Sequence, residues 1–280
     1  MKGAVILMPN AVVFAYSSVG AECLSVLLKH GVNISLVYTH EDDPNEEHWF
    51  KSVYELAKSH NIPVRTDEPD YSVVKAANPD VIFSFYYRAM IDMKILDLAP
   101  LGAFNMHGSL LPKYRGRACV NWAVLNGETQ AGVTLHHMTA RADAGNIVAQ
   151  EAVPIGQDDT AQDVFNRIIP AAGRVLDRSL DAILSGNAEG TPQDESQATK
   201  FGRRRPADGL IDLTKSAREI HNLVRAVAKP FPGAFIEKDN HKVMIWRTRL
   251  ITSPEDAANI PAFIVKTKDG LLEILEWEIV

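Results

Sequence analysis

Cysteine is almost absent from this sequence: its 280 residues include only Cys23 and Cys119. Two isolated cysteines argue against a disulfide framework and a paired-cysteine zinc site, and they favour a reducing compartment. Long apolar runs are also missing, since the first run, residues 4–8, is far too short for a signal peptide or a membrane span. The sequence therefore predicts a cytoplasmic protein without membrane association, whose functional start lies near Met8.

A strong charge bias is missing as well. The net charge of −6 does not suit a protein that coats nucleic acid or an anionic membrane.

Several motifs of other enzyme classes are missing too. No Gly-x-Gly-x-x-Gly follows the first predicted strand and no Gly-x-Ser-x-Gly is present, so a dinucleotide site and a serine hydrolase are both disfavoured. His136 and His137 are adjacent on a predicted strand and face opposite sides, which argues against a metal site. We expect no metal requirement.

Short apolar runs alternate with helical patterns along the first two thirds of the chain. Alternation with short links is typical of a mostly parallel sheet with helices on both faces. The predicted strands are residues 11–16, 33–38, 63–65, 80–85, 102–107, 133–138 and 147–153. The predicted helices are residues 22–30, 46–60, 71–78, 117–126 and 160–184, with a turn at 17–20.

The composition changes after this pattern. Residues 185–200 are rich in Gly, Asn, Pro, Gln and Ser, as linkers are. One helix, residues 215–228, and four short strands, residues 234–237, 243–248, 262–266 and 271–279, follow. The predicted fold is α/β, with a Rossmann-like, mostly parallel sheet and a small C-terminal barrel-like (OB-like) domain. We predict a main domain at 1–188, a linker at 189–204 and a β-rich domain at 205–280.

Three polar residues lie where ligands bind in such a fold, beyond the carboxyl ends of the strands. Asn105 and His107 are two residues apart on a strand, so their side chains point to the same side. Asp143 follows on a later loop. Transfer of an acyl group to an amine needs such groups: an amide N–H for the developing oxyanion, an imidazole to relay a proton, and a carboxylate to orient the imidazole. Each residue taken singly is also compatible with a turn or a satisfied polar group.

These residues fall within FNMHGSLLP (residues 104–112), YRG (residues 114–116) and ADAG (residues 142–145). With them the chain resembles the 10-formyltetrahydrofolate-dependent formyltransferases, whose catalytic signature is Asn-x-His…Asp. The resemblance implies an N-formyltransferase with 10-formyltetrahydrofolate as co-substrate and with Asn105, His107 and Asp143 as catalytic residues. The purine-pathway members usually have Pro where Gly108 stands and lack a second domain, so this branch fits less well.

Other segments resemble the branch that acts on UDP-4-amino-4-deoxy-L-arabinose in lipid A modification. They are FSFYYR (83–88), KYRGR (113–117), NW (121–122), FGRR (201–204), RAVA (225–228) and PGAF (232–235). This similarity covers most of residues 11–250. It implies a nucleotide-sugar substrate and the formyl step alone, because the decarboxylating dehydrogenase that is often fused to that enzyme is not in this chain.

The resemblance also implies where the folate lies. The folate-binding residues would be Ala89, Met90, Ile91, Arg117, Thr139, Ala140, Arg141, Ala142 and Asp143. Packing in the core is the alternative for Met90 and Ile91. Arg203 and Arg204 would bind the substrate's phosphates, unless they form a solvated basic turn.

The C-terminal domain is where the acceptor amine is expected to be recognised. Residues 201–280 hold 13 Lys and Arg against 11 Asp and Glu, a net charge of +2. A tRNA-binding domain would be more basic, because phosphate contacts supply most of the affinity for nucleic acid. The sequence therefore favours a UDP-linked amino sugar over methionyl-tRNA and leaves a non-catalytic folate-binding protein as the remaining alternative. The oligomeric state is not predicted.

Overall fold

A computed structural model describes residues 8–41, 51–238, 241–251 and 263–280. The strands are β1 (Asn10–Ala15), β2 (Asn33–Tyr38), β3 (Val64–Arg65), β4 (Val81–Phe85), β5 (Ala103–His107), β6 (Arg115–Gly116), β7 (Gln130–His137), β8 (Ile147–Pro154), β9 (Lys200–Phe201), β10 (Ala234–Lys238), β11 (His241–Ile251), β12 (Ile264–Lys266) and β13 (Leu271–Ile279). The α-helices are α1 (Ser17–Lys29), α2 (Val53–Ser59), α3 (Tyr71–Ala77), α4 (Met93–Leu96), α5 (Cys119–Leu125), α6 (Ala161–Leu184) and α7 (Ala217–Val227). Three stretches that bear on the predictions lie outside the described residues. They are residues 1–7, which precede the predicted functional start near Met8, residues 46–50 of one predicted helix and residue 262 of one predicted strand.

The larger sheet has seven strands in the order β3-β2-β1-β4-β5-β7-β8. Strands β3, β2, β1, β4 and β5 run parallel, whereas β7 pairs antiparallel with β5. Every residue of β4 is buried, as expected for a continuous apolar run covered on both faces. The mostly parallel, helix-flanked sheet confirms the predicted fold class.

Helix α1 begins earlier than its sequence pattern indicates. The predicted turn at 17–20 is wrong, because the Gly20 N–H donates to the Tyr16 carbonyl at 3.1 Å, a helical bond from i to i−4. Gly20 permits close packing here: a Cβ on it would lie 3.2 Å from the Phe85 carbonyl oxygen. The glycine therefore reflects the approach of α1 to the sheet.

The strand order reverses beside β1, since β2 lies on one side of it and β4 on the other. In open parallel sheets the crevice at such a reversal, beyond the carboxyl ends of the strands, is where ligands bind. Strands β4 and β5 end at Phe85 and His107, next to this crevice.

The second sheet is antiparallel, with the order β10-β11-β13-β12. The register of β11 against β13 shifts around Arg247, an irregularity that bends a strand and curves its sheet. Helix α7 precedes this half-barrel. It starts with a reciprocal capping box, in which the Ser216 hydroxyl accepts from the Glu219 N–H and the Glu219 carboxylate accepts from the Ser216 N–H. The small C-terminal β-rich half-barrel was also predicted and is confirmed.

The described chain divides into two compact units. The first comprises Met1–Arg115, Gly132–Ala152 and Ile168–Thr199, and the second comprises Gly116–Ala131, Val153–Arg167 and Lys200–Val280. The domain boundaries given above stay a prediction. Among the helices in the described ranges, none is both long and apolar enough to cross a bilayer.

Candidate active site

Strand β5 carries Asn105 and His107 on one face at its carboxyl end. His107 is 7% exposed, while Asn105 is partly open. Neighbours on both sides hold β5 in place, since Asn105 pairs with Ser84 of β4 and with His136 of β7. The two side chains are thus held by the core of the first unit.

The ring of His107 is held at both nitrogens. Its Nε2–H donates to the Tyr114 carbonyl at 2.9 Å, and its Nδ1 lies 3.4 Å from Oδ1 of Asp143. The Tyr114 backbone is itself fixed, because its N–H donates to the Thr199 hydroxyl at 2.8 Å. With Nε2 engaged by a carbonyl, Nδ1 is the position at which this imidazole can exchange a proton beside a carboxylate.

The loop that carries Asp143 follows β7. Asp143 has φ = 56°, in the left-handed region that costs a non-glycine residue about 1–2 kcal/mol. Gly145 lies against the Thr139 side chain and the His137 backbone, so closely that a Cβ would lie 1.8 Å from the His137 carbonyl oxygen. The amide of Gln193 donates to the carbonyls of Asp143 and Gly145, at 2.9 and 2.8 Å. This folding of the loop brings the Asp143 carboxylate to His107.

His136 is a site residue that the sequence analysis missed. Its Nε2 lies 3.1 Å from Nδ2 of Asn105 and 3.9 Å from Oδ1 of Asp143. Its Nδ1–H donates to the His137 carbonyl at 2.8 Å, so Nε2 is left as an acceptor for the Asn105 amide. Burial, followed by repulsion from His107, lowers the pKa of His136 to about 4, which keeps it neutral at pH 7.

The neutral ring of His136 fixes the orientation of the Asn105 amide. Because one N–H of Asn105 donates to His136, the amide nitrogen, and not the amide oxygen, faces His136. An amide donor, an imidazole and a carboxylate therefore converge within one small volume. Such a set can stabilise a developing oxyanion and move one proton.

Gly108 and Ser109, in the turn after β5, each have a structural reason to be there. A Cβ on Gly108 would lie 2.0 Å from the Tyr86 hydroxyl oxygen, so only glycine fits while Tyr86 occupies that space. Ser109 is 3% exposed and its hydroxyl donates to the Lys113 carbonyl at 2.7 Å. Ser109 therefore anchors the turn.

The residues implied as folate-binding occupy different environments. Met90 is 69% exposed and Ala89 is also exposed, whereas the Ile91 side chain, 6% exposed, packs in the core beside Val12 and Ile95. Thr139, Ala140, Arg141 and Ala142 are exposed on the Asp143 loop. Arg117 belongs to the second unit. Packing in the core, the alternative to folate binding given above, therefore applies to Ile91 and not to Met90.

Arg203 and Arg204 also lie in the second unit. Arg203 is exposed. The Arg204 guanidinium lies 4.8 Å from the centre of the Trp122 ring, and its Nη2 donates to the Asp208 carbonyl at 2.9 Å. Burial lowers the pKa of Arg204, and its buried Nε has no hydrogen-bond partner. Arg204 is thus a partly buried cation that stacks on Trp122 and donates to the backbone of Asp208.

No cluster of three or more His, Cys, Asp or Glu side chains suited to a metal ion occurs within the described ranges. The pair His136 and His137 conforms to the alternation expected on a strand. His136 faces Asn105, whereas Nε2–H of His137 donates to the Ala188 carbonyl at 3.0 Å.

Two family models match this chain. The formyl transferase model matches residues 10–180, and the model of the formyl transferase C-terminal domain matches residues 204–279. The chain belongs to the formyl transferase family. It is therefore an N-formyltransferase, as the Asn-x-His…Asp residues predicted.

Solved structures of other proteins have the same fold as this formyltransferase over nearly its whole length. WlaRD, a sugar 3N-formyltransferase solved with dTDP and 5-N-formyl-THF, has a TM-score of 0.74 at 23% identity and covers 96% of this chain and 98% of its own. The Helicobacter canadensis N-formyltransferase, solved with folinic acid and dTDP-3-aminofucose, has a TM-score of 0.74 at 22% identity, with 97% and 100% covered. Methionyl-tRNA formyltransferase from Clostridium thermocellum has a TM-score of 0.63 at 15% identity, with 98% and 99% covered.

Proposed function

We propose that this formyltransferase moves the formyl group of 10-formyltetrahydrofolate to the 4-amine of a UDP-linked amino sugar, with UDP-4-amino-4-deoxy-L-arabinose as the first substrate to test. One observation carries the chemistry: Asn105, His107 and Asp143 converge at the carboxyl end of β5, with 3.4 Å between the His107 Nδ1 and the Asp143 Oδ1. The acceptor rests on the segments that resemble the UDP-sugar branch.

The proposed step is a nucleophilic acyl transfer. The sugar amine attacks the formyl carbon, a C–N bond to the sugar forms, and the bond from that carbon to N10 of the folate breaks. The second N–H of the Asn105 amide, which does not point at His136, stabilises the oxyanion of the tetrahedral intermediate, a role typically worth about 3–4 kcal/mol. The amine loses one proton and N10 gains one, with His107 and Asp143 as the groups that relay it.

The folate co-substrate is supported by two kinds of observation. WlaRD and the Helicobacter canadensis enzyme were solved with 5-N-formyl-THF and folinic acid. In this chain, Ala89, Met90 and residues 139–142 are exposed near the carboxyl ends of β4 and β7. Backbone groups there are suited to the hydrogen-bonding edge of a pterin, and a folate needs no metal for this transfer.

A nucleotide sugar is supported as the acceptor by the ligands of these two proteins, dTDP and dTDP-3-aminofucose. The net charge of +2 over residues 201–280 suits a ligand with two phosphates better than a long polyanion. Arg203 and Arg204 are the arginines that we propose for the diphosphate. Arginine suits this role because its planar fork of donors matches phosphate oxygens.

Methionyl-tRNA is the second candidate acceptor. It is favoured by the shared two-domain fold of the Clostridium thermocellum enzyme, which covers nearly the whole of both chains. The balanced charge of residues 201–280 counts against it.

The test is a screen of acceptors with 10-formyltetrahydrofolate. We expect mass spectrometry to show one added formyl group on UDP-4-amino-4-deoxy-L-arabinose, with smaller yields for dTDP-3-amino sugars and for methionyl-tRNA. Turnover of a dTDP-3-amino sugar alone would move the assignment to another nucleotide sugar. Efficient formylation of methionyl-tRNA with no sugar product would overturn the proposed acceptor and leave the folate chemistry intact.

A further inference from the structure

Residues 191–199, here called the strap, run along the loop that carries Asp143. The strap begins with two backbone bonds between Thr191 and Ile147, both 2.8 Å long, that fix it beside β8. It ends at Thr199, whose carbonyl accepts from the Arg115 N–H at 2.9 Å. The sequence analysis assigned these residues to a linker. Their contacts with the first unit are extensive for a linker.

Gln193 is the residue of the strap that reaches the Asp143 loop. Its Nε2 donates to the carbonyls of Asp143 and Gly145, at 2.9 and 2.8 Å. Its Oε1 accepts from Nη2 and Nε of Arg115, at 2.6 and 3.2 Å. Both ends of the amide are therefore used, and only a group with two donors at one end and an acceptor at the other satisfies all four bonds.

Arg115 gives Gln193 a fixed base. It is 4% exposed, and its two terminal nitrogens also donate to the Glu195 carboxylate, at 3.0 and 2.7 Å. Glu195 in turn forms an ion pair with Arg141 of the Asp143 loop, at 3.0 Å. The strap thus contacts that loop twice, through the half-buried amide of Gln193 and through a more exposed ion pair.

The strap also supports the other side of the site. The Thr199 hydroxyl accepts from the Tyr114 N–H at 2.8 Å, and the Tyr114 carbonyl accepts from Nε2–H of His107 at 2.9 Å. One short segment therefore holds both the partner of His107 and the loop of Asp143. The His107–Asp143 contact of 3.4 Å depends on where the strap puts these two backbones.

We infer that Gln193 is a positioning residue for formyl transfer, which sets the place of the Asp143 carboxylate by clamping the backbone of its loop to Arg115. The inference rests on the proposed function, since it gives Asp143 a chemical role. The clamp has a physical reason: Asp143 holds a left-handed backbone that an unrestrained aspartate leaves readily. Displacement of a catalytic group by about 1 Å can lower a rate about 100-fold.

The test uses Gln193→Glu, which keeps the acceptor for Arg115 and removes both donors to the loop. We expect kcat to fall about 10- to 100-fold, with KM for folate and acceptor changed less than about threefold. Gln197→Glu is the matched control, because Gln197 lies on the same strap, is exposed, and its side-chain amide donates to Asp194 and not to the Asp143 loop among the described residues. We expect its kcat to stay within about twofold of the parent.

A double-mutant cycle separates positioning from general stabilisation. In an Asp143→Asn background, Gln193→Glu should change kcat less than about twofold, because the group that it positions has already lost its charge. Gln193→Ala is measured in the same cycle, so that the inference can still be tested if Gln193→Glu does not fold. A full, multiplicative loss in the Asp143→Asn background, or an unchanged kcat in both Gln193 variants, would overturn the inference. An unchanged kcat in Asp143→Asn alone would instead refute the role of Asp143 in the proposed function.

Discussion

Each unit of this formyltransferase contains a buried histidine within a cluster of polar groups. The two histidines differ in their hydrogen-bond partners. His136 in the first unit and His221 in the second are both 2% exposed, and burial lowers the pKa of each. His136 bonds Asn105 and lies near the Asp143 carboxylate. His221 bonds the Thr248 hydroxyl and the Gln157 carbonyl, at 3.0 and 3.3 Å, and its Nε2 lies 3.5 Å from the exposed Asp158 carboxylate.

Arg225, on the same helix as His221, extends the second cluster. Its guanidinium donates to the Asn222 side chain and to the carbonyls of Gly156, Asp159 and Val124, at distances from 2.9 to 3.4 Å. These acceptors are neutral and most belong to backbone. The second cluster therefore binds backbone carbonyls to α7, mostly through Arg225. In the first cluster the main contacts are between side chains. Burial, a lowered histidine pKa and a nearby carboxylate occur in both clusters. The first cluster differs because its carboxylate, Asp143, is only 14% exposed and converges with an amide and an imidazole, which is the basis for the candidate active site.

The sharpest test of this difference replaces the three converging residues. We expect Asn105→Ala, His107→Ala and Asp143→Ala each to lower kcat by at least about 100-fold, because each removes a group needed only as charge develops. Steady-state kinetics with 10-formyltetrahydrofolate measures this loss, and circular dichroism checks that the fold is retained.

Ser109→Ala is the matched control for these variants. Ser109 lies two residues from His107 and is just as buried, but its hydroxyl serves the turn. We expect a loss of about 1 kcal/mol in the free energy of unfolding and a kcat within about threefold of the parent. A comparable loss of kcat in this control would remove the distinction between converging and anchoring groups.

The second cluster should show the opposite behaviour. We expect Arg225→Met to lower the free energy of unfolding by about 3 kcal/mol, because it leaves the buried Val124 carbonyl and its other partners without a donor. The kcat of the folded enzyme should stay within about threefold of the parent. Urea unfolding and kinetics at low temperature measure the two quantities. A stable Arg225→Met with impaired turnover would assign this cluster to the site after all.

The lowered pKa values of the two histidines predict how the free energy of unfolding depends on pH. An unfolded histidine titrates near 6.5 and His136 only at about 4, so below pH 6.5 the unfolded state binds more protons. The free energy of unfolding should therefore fall as the pH drops from about 6.5 to about 4, with about 3 kcal/mol from His136. His221 and His40, whose pKa values are also lowered by burial, act in the same direction.

His136→Gln tests that assignment. Glutamine does not titrate and can still offer an acceptor to Asn105, so this variant should lose much of the acid dependence and keep most of its activity. Unfolding curves between pH 7 and pH 4, compared with those of His221→Gln, measure the share of each histidine. The assignment would be wrong if His136→Gln kept the full acid dependence of the parent.

Much of the fold could be predicted because its elements carry local signals. Strands such as β4 are continuous apolar runs, and α7 has both a capping pair and a helical period. The direction of β7 has no such signal, since a period of two is the same in parallel and antiparallel strands. The start of α1 was missed because Gly20 was taken for a turn residue, although close packing against β4 is its role.

The site was predictable only where its residues share one strand or one motif. Asn105 and His107 are on β5, and Asp143 came with the family motif. His136 could not be found, because its contact with Asn105 depends on the register of β7 against β5. Gln193 was hidden in a segment whose composition is that of a linker, and its partners are 48 and 50 residues away in the sequence. Long-range pairing of this kind is not encoded in any local pattern.

The smallest expected effect concerns Arg203 and Arg204, which belong to neither of the two histidine clusters. We expect Arg204→Ala to raise KM for the nucleotide sugar about fivefold with kcat unchanged, because a two-phosphate ligand loses one of its charge-assisted contacts. Arg205→Ala, a neighbouring exposed arginine, is the control and should change KM less than about twofold. Raising salt from 50 to 200 mM should weaken binding only a few-fold, whereas a protein with 6–10 phosphate contacts to nucleic acid loses about 10³–10⁵ in affinity. A steep salt dependence that Arg204→Ala makes shallower would instead indicate a polyanionic acceptor.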